Sequence, residues 1–523
     1  MKNILIAIRS IFKKGRHNVM KIVSLGIGLA VGLVLIAKVY FEQSYDGFYP
    51  DRDRVYQVWA KYQQNGGELK DYPQTSGGIA PTMQQQIPEI ETVTRYTSFG
   101  DWTFTMTDTK MKYSGRCIIA DSCFFDILPR PMLIGNAKEV LSTPMYVLVS
   151  SRIAKNIGGD VIGKNFTVDS SPGRTMTIGG VFEEVPENSH SRYDVIVSMA
   201  SAGRFMWEGS PTNMLGNDRY ISYVKLHKGV NPLALEEQVH TFVNSYFPPE
   251  EQQKTGFNIG FSFHELDGLH KELPQVKRMT WILSLLAFAL IFTAVMNYIL
   301  IVISSIVNRS KEVAVHKCYG ASENNIHGMM FGEALVHIVL SLILALLLIL
   351  AFRGTVEELL ATSLDSLLLS NGSLVLLGIC ILVFFVSGFM PGSLYARIPV
   401  ASAFRNYREN KRIWKKALLL VQFVATGFLV TMLVFVARQY TFMVNDRPGY
   451  AYENLAYCGL AGVDSTSRAK ILDEVMRLPG VVAATTVYQL PFEHASGNNI
   501  LLPGETQELF NIADLYWVGN GYL

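Results

Sequence analysis

Gly158-Gly-Asp-Val-Ile-Gly163-Lys164 carries the G-x-x-x-x-G-K spacing of a phosphate-cradling loop. The next residue is Asn165, where the chemistry needs a Ser or Thr hydroxyl for magnesium. The segment also follows a predicted helix ending at Ile157, whereas such a loop follows a strand. The spacing therefore predicts a turn into a strand over 165–168, and no nucleotide site in this chain. His190, in PENSHSRYD, is a lone imidazole in a polar loop, expected to be solvated or hydrogen-bonded rather than a metal ligand. The five cysteines are Cys117, Cys123, Cys318, Cys380 and Cys458, with no paired CxxC motifs. Cys117 and Cys123 fall in one region, as a disulfide or as two unpaired thiols. A nucleophile elbow, a zinc signature and a paired carboxylate cleft are all missing at useful spacing. The expectation is a chain with no catalytic residue, no metal and no cofactor of its own.

One charged stretch has a different character. Asn308-Arg309-Ser-Lys311-Glu312-Val-Ala-Val-His316-Lys317-Cys-Tyr-Gly320 reads as a short helix ended by a glycine suited to the left-handed cap conformation. Lys317 lies near its C-terminus, where the dipole favours a cation. Ser322 can cap the next helix, with Glu323 at its positive end. A charged helix hung between two apolar segments can act as a lever docked in a partner; it can equally be a solvated loop whose charges only set orientation.

The elements around it are set by composition. Of 523 residues 49% are hydrophobic and 17% charged, against about 25% charged in soluble proteins. The net charge of +2 leaves no basic field for nucleic acid. Crossing a bilayer takes about 20 apolar residues in a helix. Stretches 19–41, 279–307, 334–352, 374–390 and 417–437 qualify. Positive charge alternates between the connections as the positive-inside rule requires. Lys2, Arg9, Lys13, Lys14 and Arg16 precede the first span, and Arg309, Lys311 and Lys317 follow the second. Arg397, Arg405, Arg408, Lys411, Arg412, Lys415 and Lys416 precede the fifth. The loop between the third and fourth has Arg353 against Glu357, Glu358 and Asp365. The N-terminus is thus expected in the cytoplasm, with 42–278 and the chain past the fifth span outside. The first span reads as a signal-anchor, because YFEQSYDGFYP lacks a small-x-small cleavage site. Polar residues in the spans are few, namely Asn297, His337 and Gln422; Asn297 and Gln422 are expected to bond between helices. Gly26, Gly28 and Gly32 suit close helix packing.

The outer region reads as mixed α and β. Strands are predicted over 55–60, 146–150, 175–181 and 220–226, with helices from Ser150 or Ser151 through Ile157 and over 232–246. The fifth span and its sequel parallel the first. Residues 85–95 (QQIPEIETVTR) align with 476–486 (MRLPGVVAATT), Pro88 opposite Pro479, and Phe125 falls opposite Leu523. The second copy would stop within its outer domain, which predicts a fragment of a longer duplicated protein.

These residues together resemble ABC transporter permeases of the MacB/FtsX type, in the long duplicated form. Arg309, Glu312, Lys317, Gly320, Ala321 and Ser322 match the family's R-x-x-E-I-x-x-R-K-x-x-G-A-[ST] motif, with Val313 for the usual Ile and His316 for the usual Arg. Glu333 occupies the family's Glu at the third span. Pro186-Glu-Asn-Ser189-His190 resembles the P-x-x-S-H loop of its periplasmic core domain, and Pro391-Gly392-Ser-Leu-Tyr395 with Pro399 resembles the exit of the fourth span. The resemblance implies a five-span α-helical membrane protein with a mixed α+β MacB-type core domain and the start of a second, incomplete copy. Its segments would be a cytoplasmic N-terminus (1–18), spans at the positions above, stalk and core (42–278), coupling loop (308–333), basic linker (391–416) and partial second core (438–523). It implies that a separate ATP-binding subunit binds ATP and grips the helix at Arg309, Lys311, Glu312, His316, Lys317 and Gly320. The long first and second helices, continuing outward as stalk arms at about 38–46 and 266–279, would carry the motion outward. The implied setting is a bacterial inner membrane, with a dimer of permease units or a pseudo-dimer within the longer chain, and with a periplasmic adaptor and outer-membrane channel as further partners. The implied work is export of a peptide, antimicrobial or lipoprotein, or alternatively FtsX-like signalling with no translocated substrate.

Overall fold

In lipid every backbone polar group must be paired within its own segment, so the long apolar stretches fold as helices. A computed structural model describes residues 17–64, 67–169, 171, 173–216, 219–404, 413–445, 454–460, 463–490, 497–502, 508–514 and 516–522. The basic residues Lys2, Arg9, Lys13, Lys14, Arg16, Arg405, Arg408, Lys411 and Arg412 lie outside them. Five described helices are long and apolar enough to cross a membrane. They are α1 (Asn18–Gln43), α2 (Pro274–Ser304), α4 (Glu323–Ala351), α7 (Ser373–Ala396) and α9 (Ile413–Asn445). Between them lie α3 (Ile306–Cys318), the short outer-loop helices α5 (Arg353–Leu360) and α6 (Leu364–Leu368), and α8 (Val400–Phe404).

Leu25, Leu29, Leu33, Ala37 and Phe41 recur every four residues on α1 and form one buried stripe. The stripe packs with Ala294, Tyr298 and Val302 of α2 and with Ile338 and Ala345 of α4. Glycine sets the spacing: a Cβ on Gly28 would lie 2.2 Å from Ala294 Cβ, and one on Gly32 2.4 Å from Ile291 Cγ1. At Gly26 the nearest atom, on Leu344, would be 2.9 Å away. All three glycines thus allow the close packing that their type suggests. On α7, Gly388 and Gly392 do the same against Phe331 and His327 of α4. The outward faces are apolar, as lipid requires, and Trp281 (79% exposed) stands near the core-domain end of α2, where an interfacial aromatic belongs.

The core domain is built on β1 (Val55–Gln64), β2 (Lys70–Tyr72), β3 (Ile90–Met106), β4 (Lys112–Ala120), β5 (Met132–Ile134), β6 (Tyr146–Ser150), β7 (Asn165–Val168), β8 (Thr175–Phe182), β9 (Val195–Ser198), β10 (Ile221–Leu226) and β11 (Phe257–Glu265). The main path runs β11-β1-β10-β3-β4-β9-β6-β8-β5. β4–β9 and β6–β8 are parallel, and β1–β10, β3–β10 and β6–β9 antiparallel. Successive side chains point to opposite faces, so adjacent Tyr223 and Val224 feed two separate apolar clusters. β1 and β11 are antiparallel neighbours from Tyr56↔Glu265 to Gln64↔Phe257. The chain therefore leaves α1 and re-enters α2 at the same place, and this brings the two arms together.

By contact density one compact unit takes in 17–100, 115–163 and 177–445, and a second takes in 101–114, 164–176 and the described residues of 454–522. In the second, Asp464 caps the helix Ser465–Met476 by accepting from the Ser467 amide, and Gly497–Leu501 pairs with Glu508–Asp514. That helix ends shortly before Pro479, as Ile79–Gln86 in the first unit ends shortly before Pro88.

Several expectations change in detail. The second arm is not helical over 266–273; it is a run of turns, with Gly268 inside it and Pro274 opening α2. The second span stops at Ser304 rather than 307, because the chain breaks at Ser305 and α3 begins at Ile306. The predicted helix over 232–246 divides into a 3-10 turn (Pro232–Leu235) and a helix (Glu236–Tyr246). The phosphate-loop spacing is a connection from the helix Ser151–Ile157, with φ of +75° at Gly158 and +77° at Gly163, into β7. That is helix–turn–strand, the reverse of what phosphate binding needs. Cys117 and Cys123 are unlinked thiols; Cys117 is buried in β4 and Cys123 precedes a helical turn, donating to the Val93 carbonyl.

Candidate coupling site

The break at Ser305 aims α3 across the end of the bundle farthest from the core domain. Ser305 Oγ donates to the Val302 carbonyl at 2.6 Å and lies 3.2 Å from the Tyr395 hydroxyl. Tyr395 Oη, from α7, itself donates to Val302 O at 3.1 Å. The bend is therefore stitched to another span.

One turn on, Arg309 points inward and is only 5% exposed. Its Nη1 lies 2.8 Å from Glu333 Oε2 on α4, its Nε 3.5 Å from Glu312 Oε2, and its guanidinium 5.5 Å over the Tyr395 ring. Burial works against the charge on Arg309, but Glu333, Tyr395 and Glu312 outweigh it, so its pKa lies above the usual arginine value. Glu333 Oε1 is also 3.4 Å from Nζ of Lys21 on α1, which is 1% exposed. One carboxylate thus ties α1, α3 and α4 together. A turn deeper, His337 Nδ1 and Tyr298 Oη are 3.2 Å apart, an interhelical contact, whereas Gln422, expected to bond between helices, has its Nε2 buried without a hydrogen-bond partner among the described residues.

The other end of α3 is also fixed. Lys317 Nζ donates to the carbonyls of Ala396 (2.7 Å) and Ile398 (2.9 Å), at the C-terminus of α7. The cation serves another helix's open carbonyls rather than those of its own helix. Gly320 has φ +85°. Its amide donates to Lys317 O, and the Ala321 amide donates to His316 O, completing a Schellman cap. Ser322 Oγ then accepts from the Asn325 amide, as its position predicts.

The six candidate residues therefore divide. Arg309 and Lys317 brace the helix from within. Glu312 is half-buried, and Gly320 ends the helix. Lys311 and His316 are exposed, beside Val315 (43%) and Tyr319 (89%). Val313, in place of the usual Ile, is buried. Sequence reasoning missed Lys21. The signal was present, because a lysine inside a span must find a partner, and Glu333 is a carboxylate at the same end of the bundle.

An all-helical spanning bundle carrying a mixed-sheet domain on its first two helices, with a braced charged helix at the far end, defines a multi-pass membrane protein of the permease class. Residues 20–242 match the family model of the MacB-like periplasmic core domain, and residues 284–400 that of the FtsX-like permease C-terminal domain. The chain belongs to the MacB/FtsX family of ABC permeases. Among solved structures, a domain of a protein described as a permease from Porphyromonas gingivalis is 32% identical, covering 42% of this chain and 91% of that one, with a TM-score of 0.38. The periplasmic region of MacB from Actinobacillus actinomycetemcomitans is 14% identical, covering 39% and 87%, with a TM-score of 0.28. The extracellular domain of the transporter YknZ from Gram-positive bacteria is 10% identical, covering 39% and 98%, also at 0.28. No curated protein matches the chain.

Proposed function

We propose that this permease converts the motion of a separate ATP-binding subunit, docked on the exposed face of α3, into movement of its core domain. The observation carrying this reading is that α3 is fixed at both ends to the spans while its outer face is left open. Arg309 meets Glu333, Lys317 meets the end of α7, and Lys311, His316 and Tyr319 face outward. A helix braced in this way moves its spans when pushed. The positive-inside pattern supports a cytoplasmic α3 and a core domain in the periplasm, across a bacterial inner membrane. A second permease unit or the second copy of a longer chain completes the pair of docking helices. The work is export of a peptide, antimicrobial or lipoprotein, with a periplasmic adaptor and outer-membrane channel receiving it.

The test is affinity purification of the full chain from native membranes, with mass spectrometry of the co-purifying proteins. An ABC-type ATPase is recovered with the parent. It is lost with Lys311→Glu and His316→Glu combined, at unchanged melting temperature of the permease. No ATPase with the parent, or equal recovery with the double variant, sinks the reading.

A further inference from the structure

The two arms enter the core domain through a polar and aromatic cluster that the coupling site does not use. It has a bundle side and a domain side. On the bundle side, Glu42 at the end of α1 bonds to His270 Nε2 and pairs with Lys38 at 2.7 Å. Lys38 Nζ also donates to Thr362 Oγ1 at 2.9 Å, in the outer loop between α5 and α6. On the domain side, Asp46, held at φ +54°, accepts from Ser189 Oγ at 2.6 Å and from the His190 amide at 3.2 Å, and bonds to His190 Nδ1. Beyond it, the Tyr49 hydroxyl meets Ser191 Oγ. Each side has its own carboxylate and its own imidazole.

Tyr45 sits between them. Its ring stacks on His270, with centroids 3.7 Å apart and planes 12° apart, and meets the His190 ring edge-on at 5.0 Å. The two imidazoles are themselves 5.5 Å apart. Main-chain bonds reinforce the joint. Asp46 N donates to Asn188 O at 2.8 Å, and Asn188 Nδ2 donates to Ser44 O at 2.8 Å. Glu187 accepts from the Ser363 amide at 3.0 Å, which ties the same loop to the outer loop. The loop 187–191 therefore touches the first arm, the second arm through Tyr45, and the connection between the third and fourth spans.

We propose that Tyr45 is the pin of a rigid joint that holds the core domain at one set angle on both arms and on the outer loop. Movement of the spans then turns the domain as one body. A loosely hung domain would need no such arrangement, because two covalent connections already tether it. A mutually bonded set on both sides of an aromatic pin, with both carboxylates buried and both imidazoles partly so, fixes orientation, and orientation is what a lever must transmit. This deepens the proposed function, but its test needs no ATPase.

The test is a distance measurement on the full chain in lipid nanodiscs. Spin labels are placed at Lys155→Cys, on an exposed position of the core domain, and at Trp281→Cys, exposed on α2, with the exposed Cys318 and Cys458 changed to Ser. The parent and Tyr45→Phe, which keeps the ring, give one narrow distance peak. Tyr45→Ala loses that peak to a broad distribution, while circular dichroism shows the core domain still folded. If Tyr45→Ala does not fold, His270→Gln, which removes the stacking partner, decides in its place. A narrow peak in the folded variant lacking pin or partner overturns the proposal, and so does a broad peak in the parent. A failed joint with a recovered ATPase removes this inference alone. A sound joint with no ATPase removes the coupling reading and leaves the joint standing.

Discussion

Glu333 carries opposite duties on its two oxygens. Oε2 faces Arg309 and Oε1 faces Lys21, and all three side chains are buried. Such a cluster is weak evidence of stability for its own sake, because each ion is desolvated to make it. Its value here is geometric, since it fixes where α3 leaves the bundle. Breaking it from the centre is costly, because two buried cations then lose the carboxylate they share, and Arg309 keeps only the more exposed Glu312 at 3.5 Å. Glu333→Gln is expected to destabilise the detergent-solubilised chain by about 3–5 kcal/mol. Lys21→Met keeps the Arg309–Glu333 pair and should cost clearly less. Thermal unfolding of both variants checks this, and the reverse order would mean that Arg309 does not depend on Glu333. Arg309, Glu312 and Glu333 were legible as residues, because a family motif places them. That Arg309 faces inward was not, because the local pattern fixes a helix but not its rotation against a partner contributed by α4, later in the chain.

For elements, what was legible was whatever local chemistry determines. Apolar length marks the five spans, Ser150 and Ser322 cap the helices that their positions predict, and Gly320 takes the left-handed turn. What was hidden depends on long-range contact. The break at Ser305 leaves no sequence mark, because a serine is tolerated within a helix; Tyr395, ninety positions on, stabilises the bend. The turns over 266–273 depart from a continuous helical arm, and Gly268 and Pro274 are the local signals that argue for turns there. The glycines of α1 can be tested at this scale. Gly28→Val puts a branched side chain where a Cβ alone would come within 2.2 Å of Ala294. It should separate α1 from α2 and cost about 1–3 kcal/mol. Gly378→Val on α7, with nothing within 4 Å of its Cβ, should stay within about 0.5 kcal/mol. If both substitutions are equally tolerated in thermal unfolding, the close α1–α2 contact is absent.

At the scale of the whole molecule the expectation to test is topology, and two native cysteines can report it. Cys318 is exposed at the end of α3, and Cys458 is exposed beyond α9. The charge alternation in the sequence leads us to expect them on opposite sides of the membrane. Cys117 and Cys123 make good silent controls. Both thiols are pushed up by burial, that of Cys123 to about 11, and a thiol reacts as its thiolate. In right-side-out vesicles at neutral pH, a membrane-impermeant maleimide should label Cys458 and leave Cys318 untouched. Inverted vesicles should show the opposite. Cys117 and Cys123 should stay unmodified in both until the core domain is denatured, and both should then react without reductant, because they are not joined. Peptide mapping of the labelled chain distinguishes the sites. Labelling of Cys318 from the outer side would invert the topology. The exposed face of α3 would then lie away from any cytoplasmic ATPase, and the coupling reading would lose its geometry along with its orientation.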